Sequence, residues 1–410
     1  MSKETMTAKL DALNKEMETV GMGLAAAVDG EVKFTYYYGV QNRDTKVPVT
    51  EKTIFRAASV TKHMSAMVLM ILRDKGLCDL DEDIGTYLGY QCRNPYYPDD
   101  KITLRHLMTH TSTLIEYGAY NDICAGKMPP YKLSEILPFD APGFRKDSYL
   151  KCRPGEQYSY SSFGSGIMGT IAEKITGKKF AVLAKEVLFD PIGIKANYDP
   201  RDIPDPEDIA TSYEITGVKS DDEKSTEWLA QNQEWQKKSY ENKLKLADLP
   251  IGEAYRMAQG NVHIKPTEVL EIQYVLMHGG VAKNGNRILS EDGVNEMLKV
   301  QFEEKAGGPS EDNLRIAAEY RGHAFKGGSD IITGLNLAHN SHIVEGTELI
   351  GHTGRAFGVF STTQFDLKTK TGVCVMTNGT NPKNDNASGG GGTYTIMEAV
   401  RIVFDGLKEL

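Results

Sequence analysis

Ser59-Val60-Thr61-Lys62 opens an apolar run, Met64 through Leu72, that ends at Gly76. The run predicts a buried helix closed by a C-terminal glycine. Helix positions i and i+3 share a face, so Ser59 and Lys62 would stack one turn apart. That spacing lets an amine or ammonium touch the serine hydroxyl. The helix N-terminus adds a field that favours developing negative charge. Together these are parts of a nucleophilic serine. The pattern alone is weak, since Ser148 to Lys151 repeats it in a polar stretch before Pro154. A serine there can also be a simple N-cap. Context separates the two matches, because only the first follows a strand-like run and begins a long apolar helix.

The run SVTKHMSAMVLMILRDKGLCDLDEDI resembles the active-site helix of the penicillin-recognising serine hydrolases: class C β-lactamases, D,D-peptidases and related esterases. The segment from Ile102 to Ser112 resembles a second stretch of that family. In it His106 and His110 read as structural. An i, i+4 histidine pair can hold metal, but no third ligand or glutamate base accompanies it.

The resemblance implies two further motifs. Pro154-Gly155-Glu156-Gln157-Tyr158-Ser159-Tyr160-Ser161-Ser162 is similar to the family's Pro-Gly…Tyr-x-Asn element. Tyr160, six residues after the proline, takes the tyrosine's place. It would serve as general base or relay, or else Lys62 takes the proton itself. A phenol of pKa near 10 needs nearby cations for that work. Tyr158 is the competing tyrosine and reads as a core aromatic. Ser162 stands where the family has asparagine. This departure bears more on β-lactam turnover than on acyl transfer. For the third motif, Lys370-Thr371-Gly372 falls at a turn between strands. His352-Thr353-Gly354, followed by Arg355 and a strand, fits the active-site strand in its His-Thr-Gly form. The resemblance implies backbone N–H groups of Ser59 and Arg355 as the oxyanion hole, and Ser162, Thr353, Gly354 and Arg355 along the substrate. The Arg355 side chain reads equally as a surface arginine or as a grip for a substrate carboxylate.

These residues need a frame. Apolar Leu10, Leu13, Met17 and Val20 predict a first helix. Gly23–Val28 and Val32–Gly39 predict strands joined by Asp29-Gly30, a strong hairpin signal. Glu348–Gly351, Gly358–Asp366 and Gly372–Met376 read as strands near the other end. Ile396, Val400, Val403 and Leu407 stripe a last helix after the glycines at 389–392. The expected fold is α+β: an antiparallel sheet from both chain ends, flanked by terminal helices, with a mostly helical domain inserted. Residues 1–78 and 290–410 would form the sheet domain, and 79–289 the insert. The resemblance is weakest across Asp205–Lys245 and Glu303–Asn340. Within the first span, Trp228 and Trp235 are seven apart, as on one face of a surface helix packed on the body. A lid is the sharper alternative.

Composition narrows the function. A net charge of −9 argues against nucleic acid and anionic membrane as partners. No run approaches the roughly 20 apolar residues of a membrane-spanning helix. The polar start MSKETMTAKL and five scattered cysteines point to the cytoplasm, or to an extracytoplasmic protein whose leader was removed. No CxxC or HExxH occurs. No cofactor or metal is expected. The expected substrate is a small peptide, amide or ester, with a D-peptidase, D,D-carboxypeptidase-like or D-amino-acid amidase activity foremost. The alternatives are a carboxylesterase or β-lactamase and, more distantly, a non-catalytic penicillin-binding sensor.

Overall fold

A computed structural model of the 410-residue chain describes residues 1–218, 226–230, 245, 248–320, 330–356, 358–381 and 391–409. Helix α1 (Lys3–Glu16) starts at Ser2, whose hydroxyl accepts from the Thr5 amide. β1 (Gly21–Val28) and β2 (Glu31–Gly39) follow. Their connection, Asp29-Gly30, has positive φ at both residues, as a tight hairpin of the right twist requires. From the other end come β3 (Phe302–Glu304), β4 (Ile331–Thr333), β5 (Ala338–Val344), β6 (Thr347–Ala356), β7 (Val359–Asp366) and β8 (Thr371–Gly379). They form one eight-stranded sheet in the order β2-β1-β8-β7-β6-β5-β4-β3, and every pair is antiparallel. The sheet built from both chain ends is as expected. The short outer strands were not marked by pattern, because three residues are too few to show alternation.

Side chains of a strand alternate between faces, and both faces are covered. Met22, Leu24 and Ala26 of β1, with Val373 and Val375 of β8, pack on α1 and α9 (Gly391–Leu407) through Met6, Leu10, Val400 and Val403. Ala25, Ala27, Cys374 and Met376 face the other way. They join a larger core with α2 (Thr61–Asp74), α5 (Ser162–Thr176) and α6 (Pro266–Met277). Between α2 and α5 lie the short α3 (Leu104–Met108) and α4 (Ala119–Cys124). α7 (Glu291–Leu298) and α8 (Ser310–Tyr320) complete the helices used below.

One expectation is corrected. Trp228 lies on a strand, Thr226–Ala230, paired antiparallel with Tyr213–Val218, with Trp228 opposite Ile215. Both Thr226 and Trp228 itself are residue types that suit a strand. Trp235 lies outside the described residues. Among the described residues no helix is long and apolar enough to cross a membrane.

Candidate active site

Ser59 sits in a single 3₁₀ turn, Ala58–Val60, that feeds directly into α2. It is not an N-cap, and its hydroxyl instead accepts from Lys62 Nζ at 3.0 Å. Ala58, just before it, has φ +46°. A non-glycine residue is held there only when its surroundings over-determine it. The surroundings here are the segment at Val262 and strand β7. The Ala57 amide donates to the Val262 carbonyl at 2.7 Å, and the Ala57 carbonyl accepts from Ser361 Oγ of β7 at 2.6 Å. The turn is thus pinned from both sides, and Ser59 is left partly accessible.

α2 is buried from Thr61 to Leu72, which places Lys62 in the core at 1 % exposure. A buried cation needs acceptors. Besides Ser59 Oγ, Lys62 Nζ donates to the Gln259 main-chain carbonyl at 2.7 Å. The 3₁₀ turn Met257–Gln259 supplying that carbonyl is tied to α2. Ser65 Oγ donates to the Ala258 carbonyl at 2.6 Å, and the Val262 amide donates to Thr61 Oγ1 at 3.1 Å. Sequence reasoning missed Gln259, since a main-chain carbonyl has no residue-type signature.

The second motif lies over the loop after α3. Gly155 and Ser159 amides donate to the carbonyls of Thr111 and His110. Ser161 caps α5, its hydroxyl accepting from the Gly164 amide at 3.0 Å. The Ser161 amide donates to His110 Nδ1 at 3.2 Å, so that nitrogen carries no proton. Burial, and then the Lys62 charge, push the His110 imidazole down to about 3. This neutral ring is a shelf for Tyr160, 4.4 Å away between centroids. The Tyr160 ring lies 5.0 Å from Lys62 Nζ. Tyr158 instead packs against Phe302 and the edge of His110. His106 accepts the Thr103 amide in the capping box of α3, which is its expected structural place. Ser148 of the second SxxK match accepts the Ala119 amide at the start of α4.

β6 brings in the third motif. His352 stands opposite Thr363, Gly354 opposite Ser361 and Arg355 opposite Phe360. The His352 ring is 6.2 Å from that of Tyr160. Its Nδ1 lies 2.6 Å from the Thr353 carbonyl, so Nδ1 donates and Nε2 keeps a lone pair. Burial first, and the Lys62 charge second, hold this imidazole well below the usual histidine range. Thr353 and Arg355 are exposed, with the Arg355 guanidinium 5.5 Å from the Phe360 ring. Lys370 stands apart, at a turn with φ +52° and 3.7 Å from Asp29.

Ser162 begins α5 half-buried, and its amide donates to Glu116 Oε1 at 2.7 Å. Glu116 is a second residue missed from sequence. No spacing ties it to the motifs, and it arrives through the loop between α3 and α4. The structure therefore gathers Ser59, Lys62, Tyr160 and His352, with Gly354 against Ser59, Arg355 at the rim and Ser162 at the helix start. Among the described residues no three of His, Cys, Asp or Glu are grouped to hold a metal ion.

A family model described as Beta-lactamase matches residues 6–391. A β-lactamase of Providencia stuartii is 25% identical over 186 residues, 45% of this chain and 44% of that one. A D-aminopeptidase of Gluconobacter oxydans (strain 621H) is 27% identical over 190 residues, 46% of this chain and 34% of that one. The chain thus spans less than half the length of these curated relatives. Among solved structures, the D-amino acid amidase of Ochrobactrum anthropi SV3, complexed with L-phenylalanine, superposes with a TM-score of 0.68 at 21% identity, covering 100% of this chain and 99% of that one. At that identity the likeness speaks to the fold. The family match runs through every element that meets at Ser59, and by it the chain belongs to the Beta-lactamase family.

Proposed function

We propose that the protein is a serine hydrolase working through an acyl-enzyme, with short peptides or amides containing a D-residue as substrates. The observation that carries the chemistry is Lys62 Nζ, bridging Ser59 Oγ and the Gln259 carbonyl under the Tyr160 ring. A lysine that donates to the serine oxygen leaves the hydroxyl proton free to go elsewhere. Tyr160 takes it as Ser59 attacks the substrate carbonyl. Lys62 stabilises the phenolate form. The oxyanion is met by the backbone N–H groups of Ser59 and Arg355, each such donor being worth about 3 kcal/mol of transition-state stabilisation. Tyr160 returns the proton to the leaving amine, with the neutral His352 ring beside it at 6.2 Å between centroids. Water then releases the acyl group by the reverse route.

The substrate reading draws on two charges. The Glu116 carboxylate, at the start of α5, matches a substrate ammonium, as an amino-acid amide or aminopeptidase substrate carries. A D-amino acid amidase and a D-aminopeptidase are among the proteins it resembles. A second reading rests on Arg355, exposed one residue beyond Gly354. Its guanidinium matches a free carboxylate, as in carboxypeptidase substrates. A hydrolysis panel separates them: D- and L-amino acid amides, their N-acetyl forms, D,D-dipeptides, p-nitrophenyl esters and a chromogenic cephalosporin. Turnover of free D-amino acid amides above their N-acetyl forms supports the first reading. Preference for D,D-dipeptides supports the second. Preference for neutral esters overturns both.

A further inference from the structure

The turn that carries the Gln259 carbonyl is fixed by α2 at residues 258 and 262, but residue 259 itself is anchored from another element. Tyr120 of α4 donates its hydroxyl to Gln259 Oε1 at 2.6 Å. Tyr120 is buried, stacked at 5.0 Å on Phe163 of α5 and edge-on to Tyr255. One residue thus touches the helix that follows the second motif and the turn that accepts from Lys62. Beside it lies Arg256, only 8 % exposed, with Nε and Nη1 lacking hydrogen-bond partners. Burying so polar a cluster is costly wherever its groups lack partners.

We infer that Tyr120 is a positioning residue for Lys62, acting through the Gln259 side chain to aim the Gln259 carbonyl at the lysine. The inference rests on the reading of Ser59 and Lys62 as the acylating pair. A hydrogen bond from a buried tyrosine restricts the Gln259 side chain and, with it, the peptide plane between Gln259 and Gly260. Burial holds the Tyr120 phenol far above its ordinary range, so it remains a donor across the working pH range. The aimed carbonyl favours the ammonium form of Lys62 and keeps Nζ within reach of Ser59 Oγ. Without the anchor the carbonyl wanders, the lysine follows it, and the ammonium form is less favoured.

The test uses the full chain and a fluorophosphonate probe, read as acylation of Ser59 by intact mass across pH. Tyr120→Phe removes the donor. Gln259→Met removes the acceptor and keeps the main-chain carbonyl. The titratable groups around Lys62, namely His63, His110, Tyr160 and His352, are kept in both, as are Arg256 and Glu116 beside Tyr120. Each variant should lower the maximal acylation rate about tenfold with little change in the half-saturating probe concentration. Each should also move the alkaline limb of the profile, where Lys62 gives up its proton, toward lower pH, which a loosened fold alone would not do. The double variant should be no worse than either single one. Thermal melting of all four proteins checks that they are folded. Should Tyr120→Phe fail to fold, Gln259→Met decides the matter alone. An unmoved alkaline limb in a folded variant, or a double loss equal to the product of the singles, overturns the inference. A wild-type protein that resists acylation altogether overturns the reading of the site, and this inference with it.

Discussion

The Cβ that Gly354 lacks would stand 2.9 Å from the Ser59 amide nitrogen, 2.6 Å from the Ala57 carbonyl and 2.3 Å from Ser361 Oγ. Real Cβ atoms do not approach that closely, so the glycine is what lets β6 lie against the nucleophile's turn. Gly354→Ala should push strand and turn apart. The expected cost is about 1–3 kcal/mol of stability and roughly a hundredfold in acylation, since an ångström of misplacement near the reacting atoms is enough for that. Denaturant unfolding and probe labelling measure the two effects. Wild-type labelling by the variant would show that the strand need not be this close.

Ser59→Ala should abolish covalent labelling by a penicillin or fluorophosphonate. Lys62→Ala and Tyr160→Phe should each lower kcat by orders of magnitude. The double change should be scarcely worse than either one, as for groups that act as a unit. Tyr158→Phe should be mild, because Tyr158 packs on Phe302 rather than beside Lys62. Loss of activity in Tyr158→Phe but not in Tyr160→Phe would reverse the assignment.

His352→Ala should impair acylation, since its ring is within contact range of Tyr160. Lys370→Ala should be nearly silent, because Lys370 occupies a half-exposed turn beside Asp29. Steady-state kinetics of both variants on one substrate decides, and the opposite pattern would restore the Lys-Thr-Gly motif as the functional one.

His63, on α2, is buried, and burial pushes its imidazole down to about 4 from the ordinary 6.5. Between those values the unfolded chain holds a proton that the folded chain lacks. Stability from this group is therefore whole above pH 6.5 and is lost as pH falls toward 4. His63→Leu should flatten the fall of unfolding free energy with acid by up to about 1.4 kcal/mol per pH unit in that window. Urea unfolding at pH 7, 6, 5 and 4.5 measures the slope. An unchanged slope would mean that this histidine titrates normally in the fold.

Glu116→Gln should raise KM about tenfold for amides with a free ammonium and spare their N-acetyl forms. Arg355→Ala should raise KM about tenfold for carboxylate-bearing peptides and leave small neutral esters almost untouched. The backbone N–H at 355 survives, so the side chain alone is tested. A uniform effect on all substrates would remove either residue from substrate recognition.

Much of this site was legible because its residues announce themselves locally. Ser59 and Lys62 share one helix turn and begin an apolar run. Asp29-Gly30 fixed the first hairpin, and short β-rich runs marked β1, β7 and β8. What escaped the sequence was carried by groups without residue identity or by distant pairing. The Gln259 carbonyl is available to any residue type. Glu116 and Tyr120 reach the site through a loop and a short helix whose placement depends on tertiary packing. Ala58 gives no sign of its left-handed backbone, since the bonds that hold its neighbour Ala57 come from residues 262 and 361, far along the chain. The Trp228 segment misled because a seven-residue spacing looks helical whether or not a helix forms.

Toward one edge of the sheet, β1 pairs with β8 and so joins two distant parts of the sequence, with Gly23 opposite Met376. Contacts of such long separation must wait for the costly closure of a very large loop. During synthesis the Ser59 turn emerges well before its partner Ser361, 304 residues beyond Ala57, is made. A ribosome-bound chain stopped before β7 would carry serine and lysine but lack the Ser361 hydroxyl that holds the Ala57 carbonyl of the turn. The pocket is thus a late product of folding, closed by the last hairpin, and a nascent chain should acquire reactivity toward an acylating probe in one step as that hairpin docks.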